Sequence, residues 1–352
     1  MSIKYNGGYI PAVGADGTTL VANSASATGV AGAGPTFTAG KNKIINGDFG
    51  IWQRYSGSAI TLFDGNYGPD RWRRSCNGSG TYTTNRVPFT VGSAPVAGYE
   101  SAYYCQYQIT SPSGASYNTF QQPIEDVRTL AGQVSTYSIW LQTTSGTVSV
   151  TPQFHQYFGS GGSSDNVVSG PTWTVTTTWQ RFTATFSAQF ISGKTIGTGN
   201  WVSVDLGLPL NTAFTLNLWG AQLEAGSVAT PFTTATGTLS GELAACQRYY
   251  WRAGGNTTNQ KFGQGLSIST TQLLIQVQSP VAMRVAPSAL EYASLIGVNA
   301  TAALTPSAVV INNAAPLVNE ISMTVTGATA NLPFIMSANS TTAAYLALSA
   351  EL

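Results

Sequence analysis

Residues 135–150, STYSIWLQTTSGTVSV, contain the pattern that decides the fold. Tyr137, Ile139 and Leu141 stand at every second position, and Val148 resumes the alternation after a Thr-, Ser- and Gly-containing turn. Alternating apolar positions are typical of a half-buried strand, because successive side chains of a strand point to opposite faces. The stretch therefore predicts two short strands separated by a turn.

The same alternation recurs between Lys41 and about Phe232, where clusters of Gly, Ser, Asn and Pro separate the runs. No helical pattern of about 10–15 residues alternates with these strands, so a sandwich or jelly roll is expected and a βαβ fold is not. Further alternating runs are Phe182, Ala184 and Phe186, and Phe214, Leu216 and Leu218.

Changes in composition divide the chain into four parts. Residues 1–40 are rich in Gly, Ala, Thr and Ser and predict a segment that is flexible alone or extended against a partner that orders it. Residues 41–236 predict a jelly-roll β-sandwich, residues 237–255 a linking helix, and residues 256–352 a second, C-terminal β-sandwich with prolines at the strand ends. We thus predict an all-β protein in which one short helix joins two β domains.

Two short helices are expected within this β pattern. The stretch SGELAACQRYYWR, after Gly237, places apolar residues on one helical face, with Ser240 as its N-cap. A second, shorter helix is expected over residues 124–130.

The charge content excludes several classes of protein. Only 8% of residues are charged and the formal net charge is +1, so we expect no basic surface for nucleic acid. No apolar run approaches the length of about 20 residues that spans a membrane, and no signal peptide is recognised. Since few charges oppose the approach of identical copies, a homo-oligomer is expected.

Cysteine and histidine offer little for catalysis or for metal binding. We interpret Cys76, Cys105 and Cys246 as small buried apolar residues, because their number is odd and their spacing fits no metal site. His155 is the only histidine, and we interpret it as a polar residue at a strand end. We expect no catalytic residue, no cofactor and no metal; a calcium site using Asp48 or Glu224 stays open.

Glycoside hydrolysis is the enzymatic alternative, because it requires only two carboxylates about 5–10 Å apart. The other interpretation of these acidic residues is that they lie in turns and at solvated edges. The candidates are Asp64, Asp70, Glu125, Asp126, Asp165 and Asp205.

A sequence poor in charge and rich in Trp, Tyr, Asn and Gln suits the binding of glycans, whose rings pack on aromatic faces and whose hydroxyls bond to amides. Residues in loop-like stretches are the first candidates for such contacts. The predicted glycan-binding residues are Tyr67, Trp201, Tyr292, Asn299, Asn312 and Asn339.

Four spaced motifs point to a family. NGDFGIWQR at 46–54, PDRW at 69–72, WGAQLEAGSVATPF at 219–232 and CQRYY at 246–250 follow one another in this order. In this order they resemble a module of bacteriophage tail fibre proteins over about residues 41–252. We interpret the motif residues as structural: Asp48, Trp52, Arg54, Asp70, Arg71, Trp72, Gln222, Glu224, Gln247, Arg248, Tyr249 and Tyr250.

The resemblance implies a carbohydrate-binding-module-like jelly roll in a homotrimeric fibre of the virion tail. Residues 1–40 would attach to tail or baseplate proteins, and the β domains would recognise bacterial surface polysaccharide or lipopolysaccharide. Synthesis would take place in the host cytoplasm. We expect a binding protein and not an enzyme; the alternative is a tailspike-like depolymerase that cleaves host polysaccharide.

Overall fold

The computed structural model describes residues 4–5, 8–9, 19–22, 30–33, 40–55, 57–96, 99–187, 189–254 and 257–352. The expected attachment segment, residues 1–40, lies outside the described residues except for Gly40 and the backbone of four short strands that form two antiparallel pairs. These strands are β1 (Lys4–Tyr5), β2 (Gly8–Tyr9), β3 (Thr19–Ala22) and β4 (Val30–Ala33).

The first domain is a sandwich of two antiparallel sheets. Its strands are β5 (Ile60–Thr61), β6 (Arg73–Cys76), β7 (Ser79–Pro88), β8 (Tyr103–Ser113), β9 (Asn118–Glu125), β10 (Ser135–Thr143), β11 (Val148–Tyr157), β12 (Asn166–Ser169), β13 (Trp173–Val175), β14 (Gln180–Phe186), β15 (Trp201–Gly207) and β16 (Phe214–Ala225). One sheet has the order β14-β10-β16-β8-β7-β5, and the other has the order β12-β11-β15-β9-β6. The chain crosses repeatedly between the two sheets, as in a jelly roll.

Alternation explains which residues fill this sandwich. Tyr137, Ile139 and Leu141 of β10 are fully buried, and Val150 of β11 faces the same core. The two sheets therefore bury the apolar side of the stretch that predicted them, which confirms the two expected strands.

The second domain packs a three-stranded sheet, β17-β26-β20, against a seven-stranded sheet, β22-β21-β25-β18-β19-β24-β23, over a separate apolar core. Its elements are α1 (Leu239–Gln247), β17 (Tyr250–Gly254), β18 (Lys261–Ser267), β19 (Gln272–Gln278), β20 (Ala289–Ala293), β21 (Leu295–Val298), β22 (Ala303–Leu304), β23 (Ala308–Asn313), β24 (Val318–Thr324), β25 (Pro333–Ala338) and β26 (Tyr345–Ser349). The all-β class and the second β-sandwich are thus confirmed.

The helices differ from the prediction. Helix α1 ends at Gln247, and Tyr250–Gly254 is a strand that pairs with β26, so the expected helix over 237–255 is too long. Its N-cap is Thr238, whose hydroxyl accepts from the amide of Gly241 at 3.1 Å, and not Ser240.

The expected helix over residues 124–130 is absent. Strand β9 continues to Glu125, and Asp126 and Leu130 then adopt positive φ angles of 66° and 59°. A right-handed helix requires negative φ at each position, so this segment forms turns.

The three cysteines are free and buried, as predicted. No helix among the described residues has the length and apolar character needed to cross a membrane.

Candidate functional site

The outer faces of both sheets of the first domain are partly covered. On the six-stranded sheet, Trp219, Gln222 and Glu224 are buried because residues 227–236 cover them. Phe232, for example, packs on Trp219 with ring centroids 5.0 Å apart. The outer face of the five-stranded sheet, called the sheet face below, combines buried residues such as Ser203 and Asp205 with half-buried ones such as Gln153 and His155.

Cross-strand register arranges polar side chains of the sheet face in rows. Gln153 lies opposite Asp205, Asp205 opposite Gln121, and Gln121 opposite Arg73, so one row crosses four neighbouring strands. The next rows contain His155, Ser203 and Pro123, and then Tyr157, Trp201 and Glu125. Residues from four separate parts of the sequence thus form one polar surface.

His155 stands in the middle of the sheet face and contacts two carboxylates. Its Nε2 lies 3.0 Å from Asp165 Oδ2, and its Nδ1 lies 3.4 Å from Asp205 Oδ2. Burial lowers the pKa of the imidazole, but the hydrogen bonds and negative charges of Asp205 and Asp165 outweigh burial, so the pKa is raised above 6.5. The two carboxylates thus stabilise the imidazolium relative to the neutral ring.

Asp205 is buried beneath this surface at 3% exposure. The hydroxyl of Ser203 donates to it, and the Gln121 amide nitrogen lies 3.3 Å from Asp205 Oδ2 when its oxygen accepts from Arg73 at 2.9 Å. The carboxylate therefore holds three neighbouring side chains in place and offers little surface to a ligand.

Trp201, predicted to lie in a loop, begins strand β15 and is only 8% exposed. Its ring centroid lies 4.9 Å from that of His155 and 5.0 Å from that of Tyr157, and the guanidinium of Arg73 lies 5.4 Å away. The indole thus supports its neighbours and presents only a small part of its own surface.

A groove of about 500 Å³ continues the sheet face beyond Gln153. Its lining includes Thr119, Thr151 and Gly207, which lacks a side chain, while Tyr117 is 43% exposed. Hydroxyls, an amide and an exposed aromatic ring therefore line one groove beside the rows of polar residues that contain Gln153 and His155.

The other predicted glycan-binding residues do not come together in one site. Asn299 follows β21, and Asn312 is the penultimate residue of β23, near the opposite edge of the seven-stranded sheet. Tyr292 lies on β20, in the three-stranded sheet, and is 39% exposed. The backbone amide of Asn339 donates to Ser294 O at 2.8 Å. Tyr67 lies at the domain boundary, where its hydroxyl donates to Leu352 O at 2.8 Å.

Several of the motif residues join the two domains. Arg54 and Arg71 both form ion pairs with Glu351, and they stack on the rings of Tyr250 and Tyr249 at 3.5 and 3.4 Å. Arg71 holds a positive φ of 72°, a strained conformation for arginine that the surrounding contacts maintain. Arg248 pairs with Glu125 at 3.0 Å across the same boundary, and Gln247, at the end of α1, is half-buried.

The remaining motif residues serve the first domain. The indoles of Trp52 and Trp72 donate to Phe49 O at 2.6 Å and to Asn46 O at 3.2 Å. Asp70 accepts from the backbone amide of Gln53 at 2.9 Å. The Tyr99 hydroxyl donates to Asp48 at 3.3 Å, and the Gln222 side-chain amide donates to Glu224 at 2.6 Å. Asp48 and Asp70 have raised pKa values, chiefly because both are buried.

The contacts of Asp48 and Glu224, the two residues considered for a calcium site, add no metal ligand to either. Glu224 accepts from the amide and the hydroxyl of Thr230 at 2.9 and 2.6 Å. In the described ranges, no three His, Cys, Asp or Glu side chains converge in a way that could hold a metal ion.

The sequence did not predict that His155, Asp205 and their cross-strand neighbours form one polar surface. From the sequence, Asp165 and Asp205 are candidate catalytic acids or acids of turns and solvated edges, and no pattern singles out Gln121 or Arg73. The alternation in Val148–Tyr157 does indicate that residues 149, 151, 153, 155 and 157 share the outer face. That alternation does not reveal which strand lies next to it.

Comparison with known proteins gives similarities at the level of solved structures. No protein-family model and no curated protein matches the chain. A family 4 carbohydrate-binding module is 18% identical, with 51% of this chain and 98% of that chain covered and a TM-score of 0.31. A family 11 carbohydrate-binding module from Clostridium thermocellum, solved with a mixed-linked tetrasaccharide, is 10% identical, with 49% and 97% covered and a TM-score of 0.32.

The enzymatically active domain of tailspike protein 4 from bacteriophage CBA120 is 13% identical, with 53% of this chain and 22% of that chain covered and a TM-score of 0.31. At TM-scores this low, the description of the fold rests on the chain's own strands and their pairing.

Proposed function

We propose that this chain binds bacterial surface polysaccharide or lipopolysaccharide through the sheet face of its first β-sandwich, as a subunit of a bacteriophage tail fibre. The observation that carries the binding proposal is the groove beside Gln153, where hydroxyls, an amide and the exposed ring of Tyr117 line one surface. Sugar rings pack on aromatic faces, and sugar hydroxyls pair with amides and hydroxyls.

The chemistry of the sheet face supports binding without cleavage. The hydroxyl of Ser203 is fully buried and bonds to Asp205, whereas a nucleophilic serine needs a bond to the imidazole. Asp205 is itself buried, so of the two carboxylates that contact His155 in the described ranges, Asp165 alone is exposed. Retaining or inverting hydrolysis needs two carboxylates that both face the sugar.

The tail-fibre role is supported by the four ordered sequence motifs of residues 46–250. In this proposal residues 1–40 attach the protein to tail or baseplate proteins of the virion. Deleting residues 1–40 should leave a folded protein that still binds cells but no longer enters virions. A truncated protein that fails to fold would contradict this division of roles.

A homotrimer is part of the proposal, with the outer face of the seven-stranded sheet as the contact between copies. The central strands of this sheet line a groove of about 710 Å³, and its lining includes Leu266, Leu274, Gln276 and Ile335. Identical surfaces can meet around a symmetry axis only if like charges do not face each other. Most of the lining is aliphatic or amide, and the carboxylate of Glu320, which also lines the groove, accepts from the side-chain amide of Asn313 at 2.9 Å.

The test of the polysaccharide site is the variant Tyr117→Ala, with Phe190→Ala as the matched control. Both rings are exposed, at 43% and 67%, but only Tyr117 lines the groove. Binding to extracted capsular polysaccharide or lipopolysaccharide should weaken about fivefold or more in Tyr117→Ala, which corresponds to about 1 kcal/mol. Equal affinity of the two variants would contradict the proposed site.

A further inference from the structure

A second, larger cleft lies between the two domains and has a volume of about 1190 Å³. Residues of both domains contribute to it, from the segments around β5 and β7 on one side and from β17, β20 and β26 on the other. Pockets of about 300–1,000 Å³ take drug-sized ligands, so this cleft has room for an oligosaccharide. Its aromatic and charged lining includes Tyr55, Tyr67, Arg86, Arg252, Glu291 and Tyr345.

Two arginines of this interdomain cleft are held on aromatic rings. The guanidinium of Arg86 lies 4.7 Å from the centroid of Tyr55 and 4.5 Å from that of Tyr103. The guanidinium of Arg252 lies 3.7 Å from the centroid of Tyr345. Stacking keeps a planar guanidinium in one orientation, so less freedom is lost when it binds an anion.

Neither of these arginines forms an ion pair within the described part of the chain, although other arginines of the boundary do. Arg54, which also lines the cleft, is paired with Glu351 at 3.3 Å. The Arg252 side chain also donates a long hydrogen bond of 3.4 Å from Nη1 to Arg54 O. Arg86 and Arg252 are therefore cations to which the described residues supply no carboxylate partner.

The carboxylates of the cleft do not cancel this charge. Glu351 is occupied by Arg54 and Arg71, and Glu291 accepts from the hydroxyl of Tyr250 at 3.0 Å. Among the lining residues, three arginines face two glutamates, which leaves one positive charge. An anion entering the cleft thus meets a net attraction and two oriented guanidinium groups.

We propose that the interdomain cleft binds the anionic group of an acidic saccharide, a carboxylate or a phosphate, through Arg86 and Arg252. The amide of Asn66 and the hydroxyl of Thr342 also line the cleft and suit the sugar hydroxyls. The saccharide class rests on the proposed function, whereas the anion site follows from the two arginines. The sheet face and the cleft are then two separate subsites, one for neutral and one for acidic units of a surface polysaccharide.

The test is calorimetric binding of the full chain to three probes: trigalacturonate, its neutral methyl ester, and a phosphorylated core oligosaccharide of lipopolysaccharide. Trigalacturonate or the phosphorylated oligosaccharide should bind, and the methyl ester should bind about tenfold more weakly or not at all, because a charge-assisted pair is lost. Preference for the carboxylate or for the phosphate identifies the source of the anion. Failure of both acidic probes, or equal binding of the ester, would overturn the proposal.

Variants locate the site. Arg86→Gln and Arg252→Gln should each weaken binding of the acidic probe about tenfold, while Arg86→Lys, which keeps the charge but not the planar fork, should lose less. Arg128→Gln, whose side chain is 58% exposed elsewhere on the first domain, is the control. Circular dichroism checks that each variant folds. Loss of acidic binding in Tyr117→Ala instead of the arginine variants would place the anion on the sheet face and overturn the cleft site.

The two proposals can fail separately. Binding of neutral polysaccharide that Tyr117→Ala weakens and the arginine variants leave unchanged supports the sheet face alone. Acidic binding that only the arginine variants weaken supports the cleft, even if the sheet face binds nothing.

Discussion

Arg71 and Glu351 form an ion pair across the boundary between the two domains, although 280 residues separate them in the sequence. Arg71 is 1% exposed and Glu351 is 8% exposed, so the pair is shielded from water. Arg54 shares the same carboxylate at 3.3 Å. Two of the four ordered motifs, at 46–54 and 69–72, therefore contain arginines whose partner is Glu351 of the second domain.

Glu351→Gln should destabilise the protein strongly, because it removes the carboxylate that pairs with Arg54 and with the fully buried guanidinium of Arg71. Removing one partner of a buried pair costs about 3 kcal/mol or more. Thermal unfolding should begin at a lower temperature and separate into two steps, since the boundary then weakens before the domains. Asp126→Asn, which breaks the exposed pair with Arg128, is the control and should cost at most about 1 kcal/mol. Equal losses in the two variants would contradict a buried interdomain pair.

Stability should decrease as the pH rises through the pKa of His155. The folded pKa is raised above 6.5 by Asp205 and Asp165, so the pairing contributes fully below the unfolded value of 6.5 and is lost above the folded one. Denaturant unfolding between pH 6 and 9 measures this slope, and His155→Gln should remove it. Because His155 is the only histidine, NMR titration of its imidazole reads the pKa directly. A pKa at or below 6.5 would show that burial outweighs the two carboxylates.

Leu266→Glu should dissociate the proposed trimer. The leucine is 46% exposed on the outer face of the seven-stranded sheet, and three copies of the new carboxylate would meet at one contact. Sedimentation velocity should give a trimer for the unaltered protein and a monomer for this variant. Val91→Glu, at a 91% exposed position of the first domain, should remain trimeric. A monomeric unaltered protein at micromolar concentration would refute the trimer.

Gly254→Ala should destabilise the end of β17. Gly254 has a φ of 99°, and an added Cβ would lie 2.4 Å from Ala344 O, so the backbone must shift. The expected cost is about 1–3 kcal/mol. Gly327→Ala measures the cost of a positive φ alone, because φ is 84° there and the space around the added Cβ is open. Denaturant unfolding of both variants should show the larger loss at Gly254; similar losses would mean that the close approach to Ala344 is absent.

Local pattern was sufficient for the strands of the core. The alternation of Tyr137, Ile139 and Leu141 requires only that one face of a strand be buried, and the structure buries all three. The end of the linking helix was not predictable in this way, because Tyr250–Gly254 becomes a strand through its pairing with β26, about 95 residues later.

The site depends on contacts between residues that lie still farther apart in the sequence or in different domains. His155 and Asp205 meet because β11 lies beside β15 in the sheet. The residues between these two strands contain no pattern that predicts this pairing. The pair of Arg71 with Glu351 likewise follows from the docking of two domains. Composition did indicate a neutral, amide-rich protein, but of the six predicted glycan-binding residues, Trp201 alone lies on the sheet face.

The most direct measurement is incubation of the full chain with a panel of purified capsular polysaccharides and lipopolysaccharides, scoring bound protein and new reducing ends together. We predict binding to at least one polysaccharide, weakened by Tyr117→Ala, with no increase in reducing ends. Release of reducing ends, or binding to none of a panel that includes the natural host's polysaccharide, would contradict a binding protein that acts through the sheet face.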